Sequence, residues 1–405
     1  MRRGNMKIRI FTMLLALVFY PNVVFAAETV APEKVGLSTE KLQVINNNIR
    51  SDIRDGKISG ATVSVMRQGK LAYHQAFGTR GKGAAPGPLK TDDIFRIYSM
   101  TKPITTVGVM MLIEQGKVGL NDPVAKFLPA FADTKVMELG DLYTPDNPIT
   151  IADLLRHTSG IVYGFFGDTE VRSEYQKVDL YDVNQTTTEM VSKLAALPLE
   201  HQPGDAWEYS HSTDVLGRVI EVVSGQRLDQ FFAEEILGPL GMKDTAFYVA
   251  EEETGKIVEP EFKGLSDPRK VPNLHSGGGG LMSTADDYLI FSSMMLNGGK
   301  YDGKRLLKTE TVAMMTQDQL DGVRPGNYDL LTDENGFGFG FAVRLEDQGF
   351  AAGSKGSYWW GGYAGTYFWI DPIKELIIVF MIQQPDQRTA YRPRIRNWVY
   401  EAIED

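Results

Sequence analysis

The chain has 405 residues, 43% of them hydrophobic and 23% charged, an ordinary globular balance with room for two structural lobes. It contains no cysteine, which excludes disulfides, a thiolate nucleophile and lipid attachment at a leader cysteine. A net charge of −10 argues against nucleic acid or anionic membrane as partners.

The N-terminus stands apart. Arg2, Arg3, Lys7 and Arg9 form a positive head, Ile10 to Tyr20 is an apolar stretch of 11 residues, and Val24-Phe25-Ala26 offers small residues for cleavage. Eleven residues are too few to cross a bilayer, so residues 1–26 read as a signal peptide rather than an anchor. The expectation is an exported protein, periplasmic or secreted, with no stable membrane anchor. Loss of the leader removes four positive charges and no acidic ones, taking the net charge from −10 to −14.

A helix is expected from Leu37 to about Asp55, with Leu42, Ile45, Ile49 and Ile53 on one face. Residues 61–66 and 70–77 flank the turn Arg67-Gln68-Gly69, a hairpin signal. Glycines and prolines from Gly78 to Pro88 then mark a loop. Helical periodicity dominates from about Ser99 to Leu240, with helices expected at 100–116, 150–156, 187–195, 211–224 and 227–236. Phe165 to Val183 shows no period and reads as a long loop bordering a cleft. Helices recur at 285–297 and 308–315, and strand character returns in 336–345, 366–370 and 376–382. A last amphipathic helix runs from about Arg388 to Ile403. Strands at both chain ends with helices between imply one antiparallel sheet completed by both termini, plus an inserted helical lobe. The lobes are expected at about 27–98 with 265–405, and at about 99–264, and a crevice between them is a natural pocket.

Three motifs carry chemistry. In Ser99-Met100-Thr101-Lys102 a hydroxyl and an amine three residues apart meet on one face of a helical turn. A serine hydroxyl is a weak nucleophile at neutral pH, and a partly desolvated amine beside it can take its proton. The apolar segments Ile94–Tyr98 and Val107–Ile113 place this pair at the start of a core helix. Ser38-Thr39-Glu40-Lys41 has the same spacing, but there Ser38 reads as a helix cap. The second motif is Tyr209-Ser210-His211, just before a helix whose dipole favours an anionic phenol; Tyr209 can relay a proton between Ser99 and a leaving group. The third is Trp360-Gly361-Gly362-Tyr363, expected just before a strand, where glycines let backbone approach a ligand closely. Its Tyr363 N–H with the Ser99 N–H would make an oxyanion hole.

In this order and spacing the three motifs resemble the penicillin-recognising serine hydrolases. That group includes class C β-lactamases, D-alanyl-D-alanine carboxypeptidases, and family VIII carboxylesterases with their acyltransferase relatives. The similarity runs from about Gly60 to Gln384 and includes Leu154–Gly160, Pro203–Ser210 and Gly277–Thr284. It implies an α/β fold of the α+β type, β-lactamase/transpeptidase-like. It also implies Ser99 as acyl-accepting nucleophile, Lys102 as activator and Tyr209 as general base and acid, leaving open which of the two takes the first proton. No cofactor or metal is implied; the partner is a small-molecule ester or amide.

Departures from the β-lactamase pattern bear on substrate. Trp360-Gly361-Gly362 stands where those enzymes have Lys-Thr-Gly or Lys-Ser-Gly, so the cation that anchors a substrate carboxylate is missing. His211 stands where class C enzymes have asparagine, and reads as a pocket-wall residue. Ser-Met-Thr-Lys and Trp-Gly-Gly both look like family VIII esterases, so carboxylic esters are the expected substrates. Lys355 is a substitute cation that keeps a class C-like β-lactamase or carboxypeptidase reading open, and a non-catalytic binder on the same fold is the rival from another class. His157 reads as a structural residue in a helix-ending turn. His74, His201 and His275 lack metal-ligand spacing, and no Gly-x-Ser-x-Gly elbow occurs; Ala352–Gly356 is the nearest variant.

Overall fold

A computed structural model describes residues 29–81, 86–260, 262–325 and 331–404. The leader therefore lies outside the described residues. Seven strands build one antiparallel sheet: β1 (Gly60–Arg67), β2 (Lys70–Gly78), β3 (Asn335–Phe337), β4 (Ala342–Arg344), β5 (Tyr358–Gly361), β6 (Tyr367–Asp371) and β7 (Leu376–Met381). Their order is β3-β4-β5-β6-β7-β1-β2, so the C-terminal strand β7 pairs with the N-terminal β1, Val65 opposite Ile378.

The continuous apolar run of β7 follows from burial on both faces. Leu376, Ile378 and Phe380 point into a core shared with Ile45 and Ile49 of the helix Thr39–Arg54 and with Tyr391, Ile395 and Val399 of the helix Arg388–Glu401. Ile377, Val379 and Met381 point the other way, into the larger core that runs through the helical region. Ser38 caps the first helix by accepting the Lys41 N–H at 3.3 Å, the role expected of that first Ser-x-x-Lys.

The helices of the middle region fall close to expectation: Thr101–Glu114, Ile151–Leu155, Thr187–Ala195 and Ser212–Ser224. Two local readings need correction. Residues 165–183 are not all loop, because Thr169 caps a helix at Glu170–Gln176 by accepting the Arg172 N–H. Residues 336–345 are not one strand: β3 and β4 form a hairpin, since Gly340 takes φ +83° and a Cβ there would meet Thr106 Oγ1 at 2.5 Å. The third motif precedes a strand, β6, as expected, but its first residues also form one that the sequence reading lacked: Trp360 and Gly361 end β5. The helical region also carries a small hairpin, Val136–Glu138 paired with Asp141–Tyr143.

The sheet and the helical region meet at the segment before Ser99. Phe95–Arg96 pairs with Met282–Ser283, and Ile97 N–H donates to Leu281 O at 3.1 Å. This ties the nucleophile segment to the glycine run 277–280. The helix Thr101–Glu114 is buried from Thr101 to Leu112, as its all-round apolar surface demands.

One buried carboxyl makes stability depend on pH. Asp287, in the helix Ala285–Leu296, accepts from the Asp244 N–H and the Thr245 hydroxyl at 2.8 Å each, yet burial pushes its pKa up to about 7. The folded chain therefore holds this proton where the unfolded chain, with an ordinary carboxyl, has released it. The wild type is expected to lose stability relative to Asp287→Asn as pH rises from about 4 to 7, by a few kcal/mol. Urea midpoints of both proteins across that range check this; parallel curves would contradict it.

Candidate active site

The Lys102 side chain is buried, and its ammonium group sits among three oxygens. Nζ lies 2.7 Å from the Gly278 carbonyl, 3.0 Å from the Tyr163 hydroxyl and 3.4 Å from Ser99 Oγ. Three acceptors match the three N–H bonds of an ammonium. In its amine form, the same group presents a lone pair to two hydroxyls. The long Ser99 contact is of the kind that tightens when substrate closes the site. Ser99 itself remains partly exposed, so a carbonyl carbon can reach it.

Aromatic rings enclose the amine. Nζ lies 4.6 Å from the Tyr209 ring centre and 5.4 Å from that of Tyr163, and the two rings are 5.3 Å apart. Tyr209 thus lays its ring against the Lys102 amine, and its hydroxyl accepts from Trp360 Nε1 at 3.2 Å. The Trp360 indole therefore bonds to the phenol of the second motif. Lys355 lies before the start of β5 with its N–H on Asp347 at 2.8 Å, whereas Trp360 and Gly361 end that strand.

The glycines of the third motif are set by close approach. A Cβ on Gly361 would meet the Arg392 guanidinium at 2.5–2.8 Å, and one on Gly362 would collide with Thr366 Oγ1 and the Ile97 carbonyl. The turn's own bonds run from Gly362 N–H to Thr366 O and from Gly365 N–H to Gly362 O, and they leave the Tyr363 N–H out. Tyr98, immediately before Ser99, takes φ +42°, a rare conformation for a tyrosine. Its hydroxyl accepts the Ser266 N–H at 3.0 Å and its ring meets Tyr363 edge-on at 5.7 Å.

Two residues were not singled out by sequence reasoning. Tyr163 follows the segment Leu154–Gly160 at the edge of the aperiodic stretch; the aromatic cluster Tyr163-Gly164-Phe165-Phe166 was the available signal. Burial, followed by the neighbouring Tyr209 and Asp214, holds the Tyr163 phenol well above its ordinary pKa, so it stays protonated. Asp214 lies one helical turn from His211. Burial alone would raise its carboxyl, but the His211 hydrogen bond, the His211 and Lys102 charges and the Ser276 hydroxyl outweigh that and lower it. Its Oδ1 accepts from Ser276 Oγ at 2.6 Å and from Gly278 N–H at 3.0 Å, so a single residue, Gly278, links this carboxylate to Lys102 through its N–H and its carbonyl.

His211 is buried behind Tyr163 (ring centres 4.3 Å apart), with Nδ1 3.0 Å from Asp214 Oδ2 and Nε2 3.2 Å from the Tyr181 hydroxyl. His157 lies in the left-handed turn after the helix Ile151–Leu155, 3.2 Å from Ser210 Oγ. Its burial, and then the Lys102 charge, hold it well below the ordinary histidine pKa. A second serine–histidine–carboxylate alignment exists: Ser64 Oγ is 2.9 Å from His74 Nδ1, and His74 Nε2 is 3.1 Å from Asp286. Ser64 is 0% exposed between β7 and β2, so no substrate reaches it.

The family model described as Beta-lactamase matches residues 45–399. The chain belongs to the Beta-lactamase family. It is 35% identical over 362 residues to an uncharacterized protein of Mycobacterium tuberculosis, covering 84% of this chain and 89% of that one. It is 30% identical to esterase EstB of Burkholderia gladioli, covering 81% and 87%. Among solved structures, EstCE1, described as a hydrolase with promiscuous acyltransferase activity, superposes with a TM-score of 0.74 at 28% identity, covering 89% of this chain and 99% of that one. The protein is a β-lactamase-fold serine hydrolase.

Close approach at Gly362 gives a direct test of this packing. Gly362→Ala is expected to lower stability by about 1–3 kcal/mol through overpacking. Gly255→Ala, where a Cβ meets nothing within 4 Å, is expected to change little. Denaturant midpoints of the two variants check the contrast, and equal midpoints would contradict it.

Proposed function

We propose that this protein is an exported serine esterase that cleaves carboxylic esters through an acyl-enzyme on Ser99. The observation that carries the proposal is the Lys102 amine set between Ser99 Oγ, Tyr163 OH and Gly278 O, with Tyr209 against it. Export rests on the positive head, apolar stretch and small-residue cleavage site of residues 1–26. The preference for esters rests on Trp360: an indole bonded to Tyr209 supplies no charge for a substrate carboxylate. The names of EstB and EstCE1 point the same way.

The ester carbonyl sits with its oxygen toward the Ser99 and Tyr363 N–H groups, each donor contributing about 3–4 kcal/mol to the transition state. Ser99 Oγ bonds to the carbonyl carbon as its proton passes to the Lys102 amine. The tetrahedral intermediate then collapses: the bond from carbon to the alcohol oxygen breaks, and Tyr209 gives that oxygen its proton. Tyr209 recovers a proton from Lys102, which restores the amine. Water repeats the attack on the acyl-enzyme, its proton leaves by the same two groups, and Ser99 departs with a proton. Tyr163, held as a phenol, keeps the amine in place throughout without serving as a base.

Turnover of p-nitrophenyl butyrate is expected to fall by at least about 1,000-fold in Ser99→Ala with the fold intact by circular dichroism. The wild type is expected to turn over a cephalosporin far less efficiently than this ester. Undiminished ester turnover in Ser99→Ala would overturn the assignment of the nucleophile, and a cephalosporin cleaved as efficiently as the ester would reverse the substrate ranking.

A further inference from the structure

The cleft carries two large aromatic side chains that the reaction does not use. Phe165 and Tyr181 are each 57% exposed, whereas the aromatics around the Lys102 amine, Tyr163 and Tyr209, and Trp360 bonded to Tyr209, are buried. Their ring centres are 6.2 Å apart, and Phe165 stacks on Tyr163 at 5.0 Å with only 23° between planes. The exposed pair is therefore continuous with the ring whose hydroxyl touches Lys102.

Both rings are held from behind. The Asp214 carboxylate accepts from His211 Nδ1 at 3.0 Å, and the other ring nitrogen, Nε2, pairs with the Tyr181 hydroxyl at 3.2 Å. Tyr181 thus has its polar end buried and its ring outside. Burial of that end, followed by the Asp214 charge, keeps the phenol protonated. On the other side, Phe166 meets Phe165 edge-on at 4.4 Å, and its carbonyl accepts from Arg172. Arg172 is buried with Glu208 at 2.7 Å and Glu200 at 3.3 Å, and Glu208 precedes Tyr209 in the chain. A buried ion pair thus locks the aromatic loop to the segment that carries the second motif.

A rigid, uncovered aromatic surface abutting the reacting groups favours a planar apolar ligand, since offset or edge-on ring contacts add to the burial of area. We propose that Phe165 and Tyr181 form the platform that binds an aromatic ring of the substrate, with Tyr181 fixed there by the buried Asp214–His211 pair. The inference rests on the esterase reading and adds the substrate class: aryl esters, the ring lying on either the acyl or the alcohol side. His211 and Asp214 are positioning residues here: His211 holds the Tyr181 hydroxyl, and Asp214 holds His211.

The test compares kcat and KM of the wild type, Tyr181→Ala, Tyr181→Phe and Phe165→Ala on two pairs of esters. Vinyl benzoate against vinyl butyrate places the ring on the acyl side; phenyl acetate against ethyl acetate places it on the alcohol side. In one pair, each alanine variant is expected to lower the aryl-to-alkyl ratio of kcat/KM about tenfold, mainly through KM. Tyr181→Phe, which keeps the ring and loses only its anchor, is expected to lower it two- to threefold. An unchanged ratio in both pairs overturns the platform, as does a loss confined to kcat that is equal for aryl and alkyl esters. A change in oligomeric mass without a change in ratio would make the surface a contact between copies and also overturn it. Failure of the wild type to cleave any of the four esters would instead overturn the esterase reading on which the platform rests.

Discussion

The site depends on one buried cation. A lysine ammonium removed from water needs its hydrogen bonds replaced in full, because an unpaired buried charge is among the most costly features a fold can contain. Lys102 meets that demand with a carbonyl, a phenol and the serine three residues before it. Its counter-charge, Asp214, sits on the far side of the Gly277–Gly278 backbone. The group that would deprotonate Ser99 is therefore also the group around which the cleft is assembled.

That assembly explains the glycines and the topology together. Gly277 and Gly278 pass so close to Thr213 O and Asp214 Oδ2 that a Cβ would stand 2.8 and 2.6 Å from them. Only backbone can slip between the two helices and offer its carbonyl to the amine. Gly362 plays the same part on the opposite wall, against Ile97. Closing the sheet with strands from both chain ends fixes these walls relative to each other, so the site draws on segments near positions 99, 163, 209, 278 and 360 with little freedom left in their placement.

Much of this was legible in the sequence where the determinant is local. The Ser99–Lys102 spacing is a helical geometry, the hairpin signal marks β1 and β2, apolar runs mark β6 and β7, and Thr150, Thr186 and Thr284 cap helices where polar residues precede periodic ones. The rest depends on long-range contacts with no period. Tyr163 acquires meaning only through Lys102, and Asp214 reads as an ordinary acidic residue of a helix first turn until burial and His211 are known. The hairpin of β3 and β4 hid behind regular phenylalanine spacing, because an alternating pattern does not show that Gly338 and Gly340 turn the chain.

The account turns on whether the Lys102 amine activates Ser99, and the rate of covalent modification by a fluorophosphonate measures that step without any choice of substrate. Mass mapping of the labelled wild type is predicted to place the adduct on Ser99. Lys102→Met, folded by circular dichroism, is predicted to react at least about 100-fold more slowly, within the range for loss of a general base. Labelling of Lys102→Met at the wild-type rate, or an adduct on any other serine, would contradict the account.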